Sequence, residues 1–181
     1  LLIIAVLLFW SIAIIRLQAT TITVDIENYD PVVSEVKICN KNSVDQNCSS
    51  VASITTVVNG VEKYDIYAKV FDQNSTGDVL ASEASLSIYR SGRGLSLCDH
   101  PAENDINHCY YTVGGTKFGP DVDSNTQYFK FDDVSIGYWA DPTTATADDY
   151  STENWVVSVT ATDTFGGTAE ASITKELEET T

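Results

Sequence analysis

The feature that most limits the fold of this chain is an alternation of apolar and polar residues along short runs from Thr20 onward. The clearest runs are residues 64–70, 84–88 and 155–161. Successive side chains of a β-strand point to opposite sides, so each run predicts a strand with one apolar face. Turn signals such as Asn59 with Gly60 and Gly166 with Gly167 separate the runs. Antiparallel strands of this kind pair into two sheets that bury their apolar faces together.

The sequence therefore predicts a mainly β chain, in which a hydrophobic N-terminal α-helix precedes an antiparallel β-sandwich. We expect the helix at residues 1–18, one elaborated sandwich domain at 19–176, and an acidic tail at 177–181. Residues 90–126 are expected to be rich in loops, and residues 140–153 to form a second polar excursion from the sheets.

Residues 1–15 read LLIIAVLLFWSIAII, with Ser11 as their only polar residue, and Arg16 ends the run. The run is apolar on all faces, so it does not suit an amphipathic helix that lies on its own domain. Exposing more than ten large apolar side chains to water would cost on the order of 20 kcal/mol. The segment must therefore be buried in lipid or against copies of itself.

Three interpretations compete for this segment. It has the character of a signal peptide cleaved after Ala19, but we expect it to stay on the mature chain, which disfavours cleavage. As a membrane anchor, fifteen helical residues would span about 22 Å, short of a hydrocarbon core of about 30 Å. The third interpretation is a helix packed against its copies in a filament core. An inserted β-strand is a further alternative, because the run is rich in Ile.

The charge balance excludes some partners. The 181 residues include 26 Asp and Glu but only 10 Lys and Arg, which gives a net charge of −16. Nucleic-acid binding needs basic patches that displace phosphate counterions, so we expect no nucleic-acid partner. The same charge argues against electrostatic docking on an anionic membrane. The simplest interpretation is a soluble surface that repels its own copies.

The four cysteines lie in two local pairs, Cys39 with Cys48 and Cys98 with Cys109. An even number of cysteines in a β-rich chain of this type indicates an oxidising compartment. Three pairings are possible, and we expect the two local ones, because each would close a short loop. Asn47 and Asn74 begin N-glycosylation sequons, which agrees with an extracellular glycoprotein.

Two clusters resemble metal sites. His100 and His108 lie beside the second cysteine pair and complete the residue types that zinc prefers, but an oxidising compartment favours a disulfide there. Asp121, Asp123 and Asn125 alternate like the oxygen ligands of a calcium loop. No helices are expected to flank them, so a polar loop between strands is the favoured interpretation and calcium the alternative. No other cofactor is expected, and a weaker oxygen cluster at residues 72–78 is interpreted as a turn.

The chain lacks the motifs of common enzyme classes. It has no nucleophile elbow, phosphate-binding loop, dinucleotide fingerprint or metalloprotease helix, so we expect no catalytic residues and no enzyme. A secreted hydrolase or carbohydrate-binding module remains a weaker hypothesis. The aromatic residues Tyr110, Tyr111, Tyr138 and Trp139 would suit a sugar, but core packing is the favoured role for them.

An apolar helix joined directly to a β-rich head resembles the type IV pilins, in particular those of the archaeal type. The resemblance covers about the first 18 residues and the general layout, and Ala5 stands where bacterial pilins usually have Glu. Residues 155–169 carry the pattern V-x-A-x-D-x-x-G-x-x-A and resemble the last two strands of immunoglobulin-like repeats of the fibronectin type.

These resemblances imply a pilin-like structural subunit of an extracellular appendage with an immunoglobulin-like head. Its partners would be copies of itself in a helical homopolymer, with a membrane location before assembly. The segment of residues 1–18 would form the filament core, and its assembly contacts would involve Leu1, Ile4, Leu8, Trp10 and Ile15. The alternative is a membrane-anchored cell-surface adhesin or surface-layer module.

Overall fold

The computed structural model describes residues 27–41, 46–56, 61–94, 109–145 and 149–178. The predicted hydrophobic helix of residues 1–18 lies outside these ranges. The described residues form a short 3-10 helix, Ala81–Glu83, and eight strands. The strands are β1 Val32–Asn40, β2 Val61–Phe71, β3 Ser85–Arg90, β4 Cys109–Val113, β5 Thr116–Phe118, β6 Thr126–Gly137, β7 Trp155–Thr162 and β8 Thr168–Lys175.

The strands form two four-stranded sheets with the orders β1-β2-β6-β5 and β4-β3-β7-β8. Every pairing between neighbouring strands in these sheets is antiparallel. The sheets pack face to face, and β1 lies against β7 and β8 of the opposite sheet. The prediction of a mainly β chain with an antiparallel sandwich is thus confirmed for the described residues.

The alternating sequence pattern builds the core between the sheets. Ile66, Ala68 and Val70 form the buried row of β2, and β7 supplies a matching row from Trp155 to Ala161. The indole Nε1 of Trp155 donates a hydrogen bond of 2.8 Å to the carbonyl oxygen of Asp141, so its buried polar atom is satisfied.

Two bulges interrupt the sheet that contains β1, β2 and β6. In β1, the register of the pairing with β2 shifts between Ser34 and Lys37. In β6, the register of the pairing with β2 shifts between Phe131 and Val134, opposite Asp65 of β2. A bulge sets two residues against one and bends its strand. Glu35 and Asp133 have positive φ angles of 51° and 56° at these points. β6 continues through its bulge as one long strand, Thr126–Gly137.

Residues 90–126 are predicted to be rich in loops, and the short strands β4 and β5 lie within this stretch. Both are edge strands. An edge strand pairs on one side only and carries a weaker alternation of apolar residues, so it is harder to recognise from the sequence.

The C-terminal boundary also differs from the prediction. The sequence predicts an acidic tail from Leu177 onward, yet the Leu177 side chain is 1 % exposed and belongs to the core. It forms a parallel bridge with Ile54, whose N–H donates to Glu176 O and whose carbonyl accepts from Glu178 N. The domain thus extends past residue 176. A single leucine among acidic residues is buried in the core because this segment pairs with Ile54, which is remote in the sequence.

Candidate functional site

The first predicted disulfide is present. Cys39 and Cys48 are bonded, with their Cα atoms 6.2 Å apart, within the usual range of about 4.4–6.8 Å. Cys39 is fully buried at the end of β1. The chain after Cys48 returns along the same strand, where Val51 N donates to Ile38 O at 2.8 Å. The covalent bond therefore fastens a loop that backbone hydrogen bonding also holds.

The second cysteine pair is only partly within the described residues. Cys109, at the start of β4, is disulfide-bonded. Its predicted partner Cys98 and the neighbouring His100 and His108 lie outside the described residues.

The two sequons lie in different surroundings. Asn47 is exposed in the disulfide loop. Asn74 is partly buried: its Oδ1 accepts from Tyr29 N, and its Nδ2 donates to Glu27 O, both at 2.9 Å. The Asn74 side chain thus ties the segment before β1 to the connection after β2. Glycosylation at either position stays a prediction.

The three calcium candidates are used as hydrogen-bonding groups of a turn. Asp121 Oδ2 accepts from the hydroxyl of Thr76 at 3.1 Å. Asp123 accepts from Asn125 N at 2.8 Å and from the Thr126 hydroxyl at 3.0 Å. These donors hold the pKa of the Asp123 carboxyl below its ordinary value, with the Asn125 N–H as the largest cause. The arrangement agrees with a polar loop between β5 and β6.

One end of the sandwich collects four segments of the chain, which we call the acidic pole: residues 27–31, 72–84 with the 3-10 helix, 114–125 with β5, and 163–167. Hydrogen bonds connect all four segments to one another. Every charged side chain in them is acidic except Lys117, whose Nζ donates to the carbonyl oxygen of Thr76. The pole therefore carries a concentrated negative charge.

Two of these carboxylates are buried. Asp72 continues the inward row of β2 beyond Val70 and is 1 % exposed, and Asp163 continues the inward row of β7 beyond Ala161 and is 2 % exposed. Alternation along the strands therefore directs both side chains between the sheets, at the same end of the core. The ion pairs of the described residues include no basic partner for either one.

Asp163 organises the turn between β7 and β8. Its Oδ1 accepts from Phe165 N and Gly167 N, both at 2.8 Å, and its Oδ2 accepts from Asn28 Nδ2 at 3.0 Å. Burial tends to raise the pKa of this carboxyl, but these hydrogen bonds outweigh burial and hold the pKa below its ordinary value. Asp163 is therefore ionised at neutral pH.

Gly167 permits the close packing around this carboxylate. A Cβ at Gly167 would collide with Asp163 Oδ2 and also with Asp30 Oδ1. Both carboxylate oxygens consequently lie beside the same glycine, and only a residue without a side chain fits between them.

Asp72 leaves one oxygen unused. Its Oδ1 accepts from Asn74 N at 2.8 Å and from Ser75 N at 3.4 Å, which forms the predicted turn. Its Oδ2 is buried and has no hydrogen-bond partner, and the same is true of Asn28 Oδ1. The acidic pole thus contains two buried oxygen atoms that accept no hydrogen bond from the residues that the structure describes.

Arg90 holds the polar excursion of residues 140–153 at the end of β3. The guanidinium is 4 % exposed; its Nη1 lies 2.7 Å from Glu153 Oε2 and its Nε lies 3.4 Å from Asp141 Oδ2. Its central carbon stands 3.7 Å from the ring centroid of Tyr150. Glu153 also accepts from Gly92 N at 2.8 Å. We call these contacts of Arg90 with Asp141, Glu153 and Tyr150 the Arg90 clasp, and we assign them a structural role.

The predicted aromatic cluster is divided between core and surface. Tyr110 packs on Trp155 with ring centroids 5.8 Å apart, and its hydroxyl accepts from Gly137 N. Tyr111, Tyr138 and Trp139 are exposed. Core packing is therefore confirmed for Tyr110 alone.

Asp163, Asn28 and Arg90 are not among the residues predicted from the sequence. For Asp163 a signal existed, because an acidic residue occupies the next inward position after the alternation of residues 155–161. Among the parts of the chain that the structure describes, no group of three or more His, Cys, Asp or Glu side chains could hold a metal.

The predicted assembly residues Leu1, Ile4, Leu8, Trp10 and Ile15 lie outside the described residues.

Comparisons with models of known protein families, with curated proteins and with solved structures find no match. No helix within the described ranges has the length and apolar character needed to cross a bilayer.

Proposed function

We propose that this chain is a structural, pilin-like subunit of an extracellular helical filament. The hydrophobic N-terminal helices form the filament core, and the β-sandwich heads form the outer surface. The observation that carries the proposal is an apolar run, residues 1–15, attached to a sandwich that closes its own core.

The closed core matters because it argues against burial of residues 1–15 between the sheets of their own subunit. Both sheets contribute apolar rows to a single cluster, which includes Ile66, Ile88, Phe129 and Trp155. These side chains satisfy the burial requirement of a two-sheet domain. The apolar run must then be covered by other molecules, and copies of the same run are the partners that a homopolymer supplies.

The strand order supports an immunoglobulin-like head. The orders β1-β2-β6-β5 and β4-β3-β7-β8 correspond to the A-B-E-D and C′-C-F-G sheets of that topology. Neither β2 nor β7 contains a cysteine, so these two strands have no counterpart of the inter-sheet disulfide of antibody domains. An immunoglobulin-like topology supports a role as a structural module and carries no information about activity.

The disulfide chemistry and charge are consistent with the proposed location and assembly. A loop disulfide suits an oxidising compartment outside the cytoplasm. The net charge of −16 makes the heads repel one another, so attraction must come from the apolar core. Contacts between identical subunits would be heterologous and open-ended, which is the geometry of a helical polymer. The expectation that the protein is not an enzyme stays a prediction.

The proposal is tested by removing detergent from the purified full-length chain and examining the product by cryo-electron microscopy and sedimentation. We expect filaments with a regular helical repeat and continuous density along their axis. Ile4→Asp and Leu8→Asp should abolish the sedimenting fraction, because each would bury an unpaired carboxylate in the core. Phe165→Asp is the matched control: it adds the same charge to a head residue that is 64 % exposed, and filaments should form as before.

The alternative of a membrane-anchored surface module predicts another outcome. The chain would then float with liposomes as a monomer and form no polymer at any protein concentration. Filaments whose axial density is unaffected by Ile4→Asp and Leu8→Asp would also contradict the proposed core.

A further inference from the structure

We propose that the free edge of β8 is paired by residues 20–26 of the same chain, as an additional antiparallel strand of the sheet β4-β3-β7-β8. These seven residues lie outside the described ranges, whereas the edge that they occupy is described along its whole length. The pairing concerns the head alone and does not depend on filament assembly.

The first argument is that β8 is an unprotected edge strand. Four of the described strands lie at sheet edges. β1 follows Pro31 and contains a bulge, while β4 and β5 have only five and three residues. Proline, bulges and shortness all hinder the addition of a further strand. The eight residues of β8, in contrast, contain no proline and pair with β7 in continuous register.

This edge presents backbone groups that need a partner. In an antiparallel pair, every second residue of an edge strand directs its N–H and C=O away from the neighbouring strand. Within the described part of the chain, β7 is the only strand that pairs with β8. Half of the backbone groups of β8 are therefore open to a further strand.

The second argument is the incomplete cover over the inward face of β8. Its inward row, Ala169, Ala171 and Ile173, packs against the core but is only half-buried. The three residues of β7 directly opposite this row are fully buried. A further strand with large apolar side chains would complete the cover, because two members of the row are alanines.

The third argument is the position of the chain before β1, which lies against the turn between β7 and β8. Asn28 Nδ2 donates to Asp163 Oδ2 at 3.0 Å. Asp30 Oδ1 and Asp163 Oδ2 both lie where a Cβ at Gly167 would collide with them. The residues that precede this segment consequently approach the turn that leads into β8. A chain that runs along β8 toward this turn is antiparallel to β8.

The sequence of the proposed strand fits the edge. Residues 20–26 read TTITVDI and alternate like a strand with one apolar face. With Ile26 opposite Ala169, antiparallel pairing brings Val24 and Ile22 opposite the next two members of the inward row. Residues opposite each other share a face, so three large apolar side chains cover the half-buried row. A shift by one residue would turn them toward solvent instead.

The pairing fixes where the N-terminal segment leaves the head. Seven residues in a strand span about 23 Å, so residue 20 lies near the end of β8 that is remote from the acidic pole. Residues 1–18 then enter the filament core from that end, a consequence that rests on the proposed function. The acidic poles of the subunits are thereby kept away from the core.

Hydrogen exchange of the full-length chain in mild detergent, followed by mass spectrometry of its peptides, tests the pairing. A free edge would let about half of the β8 amides exchange quickly, because only the other half bond to β7. We expect slow exchange throughout β8 in the original chain. The amides that bond to β7 serve as an internal control for the fold of each variant.

Val24→Asp is the test variant, and Thr23→Asp is the matched control. Val24→Asp places an unpaired carboxylate against the core and should accelerate exchange of the outward β8 amides at least about tenfold. Thr23→Asp adds the same charge to the solvent-facing row and should change their exchange less than about twofold.

The same register has one unfavourable contact, which gives a third variant. It sets Asp25 opposite Glu170, and like charges directly opposite each other weaken strand pairing. Glu170 is exposed, so water and salt screen this repulsion. Asp25→Lys replaces repulsion by attraction and should slow exchange at the β8 edge further.

Engineered cysteine pairs identify the chain that occupies the edge. Thr23→Cys combined with Ser172→Cys should form a disulfide within one chain under mild oxidation, because the two positions are opposite each other in the proposed register. Thr23→Cys combined with Thr168→Cys is the control. Thr168 is four residues away from Ser172 on β8, about 14 Å along the strand, so no bond should form.

Three results would overturn the proposal. Fast exchange of the outward β8 amides in the original chain would mean that the edge is free. Equal effects of Val24→Asp and Thr23→Asp would mean that the apolar face of residues 20–26 does not cover β8. A disulfide between two chains in the first cysteine pair would assign the edge to a neighbouring copy. All three are measured in detergent, so they are independent of whether filaments form.

Discussion

Replacing Arg90 with Met should be among the most damaging single changes to the head. The guanidinium is 4 % exposed and faces two carboxylates, Glu153 at 2.7 Å and Asp141 at 3.4 Å. Methionine fills a similar length but leaves both carboxylates opposite an apolar side chain. Breaking a buried ion pair costs about 3–5 kcal/mol, and loss of the stacking on Tyr150 adds about 1 kcal/mol.

The expected loss lies at the lower end of this range. Asp141 and Glu153 are 20 % and 23 % exposed, so water can partly solvate them once Arg90 is removed. We therefore expect the free energy of unfolding to fall by about 3 kcal/mol, which corresponds to a decrease in Tm of about 6–12 °C. Arg90→Lys should lose about half as much, because one ammonium cannot replace the planar fork or stack as well on the ring.

Urea denaturation of the full-length chain in detergent, followed by tryptophan fluorescence, measures these losses. Trp155 is a useful probe, because its indole donates to the carbonyl of Asp141 in the same clasp. Arg93→Met is the matched control, since Arg93 is exposed three residues along the chain, and we expect a change within about 0.5 kcal/mol. A loss below about 1 kcal/mol in Arg90→Met, or an equal loss in the control, would refute the clasp.

Three further changes test other parts of the head. Replacing both Cys39 and Cys48 with Ala should cost about 2.5 kcal/mol, because the bond closes a loop with a sequence separation of 9; an unchanged urea midpoint under non-reducing conditions would contradict this. Leu177→Ala should cost about 2–5 kcal/mol in the same assay, whereas a free tail would lose almost nothing. The pKa of Asp163 is lowered from 3.8, so its stabilising effect is present above that pH and is lost as pH falls through the folded-state pKa. Asp163→Asn should therefore be less stable at neutral pH but flatten the loss of stability below about pH 4, and a parallel acid limb would contradict the assignment.

The strands with strong alternation could be predicted from the sequence, because one face of each had to enter a core. Residues 64–70 and 155–161 are examples, and both became central strands of their sheets. The local disulfide between Cys39 and Cys48 could also be predicted, since a short separation in sequence limits the distance between the cysteines.

The candidate sites were less predictable because they depend on residues far apart in the chain. Asn28 and Asp163 are 135 residues apart, and no local pattern connects them. The loop of Asp121, Asp123 and Asn125 has the alternation of a calcium site, but its side-chain oxygens accept hydrogen bonds from protein groups instead. A sequence motif reports which oxygens are near one another, whereas their orientation depends on the surrounding loops.

By itself, the sequence determined that this protein has a β-rich head, a strongly acidic surface and an apolar segment that needs cover. These properties follow from composition and from the local alternation of apolar and polar residues, which can be read without knowing which distant residues are in contact. Only the tertiary structure decided that Leu177 enters the core, that Arg90 clasps a distant loop, and that Asp72 and Asp163 end the inward rows at one pole. Such contacts arise from the pairing order of the strands, because that order brings together residues that are remote in the chain.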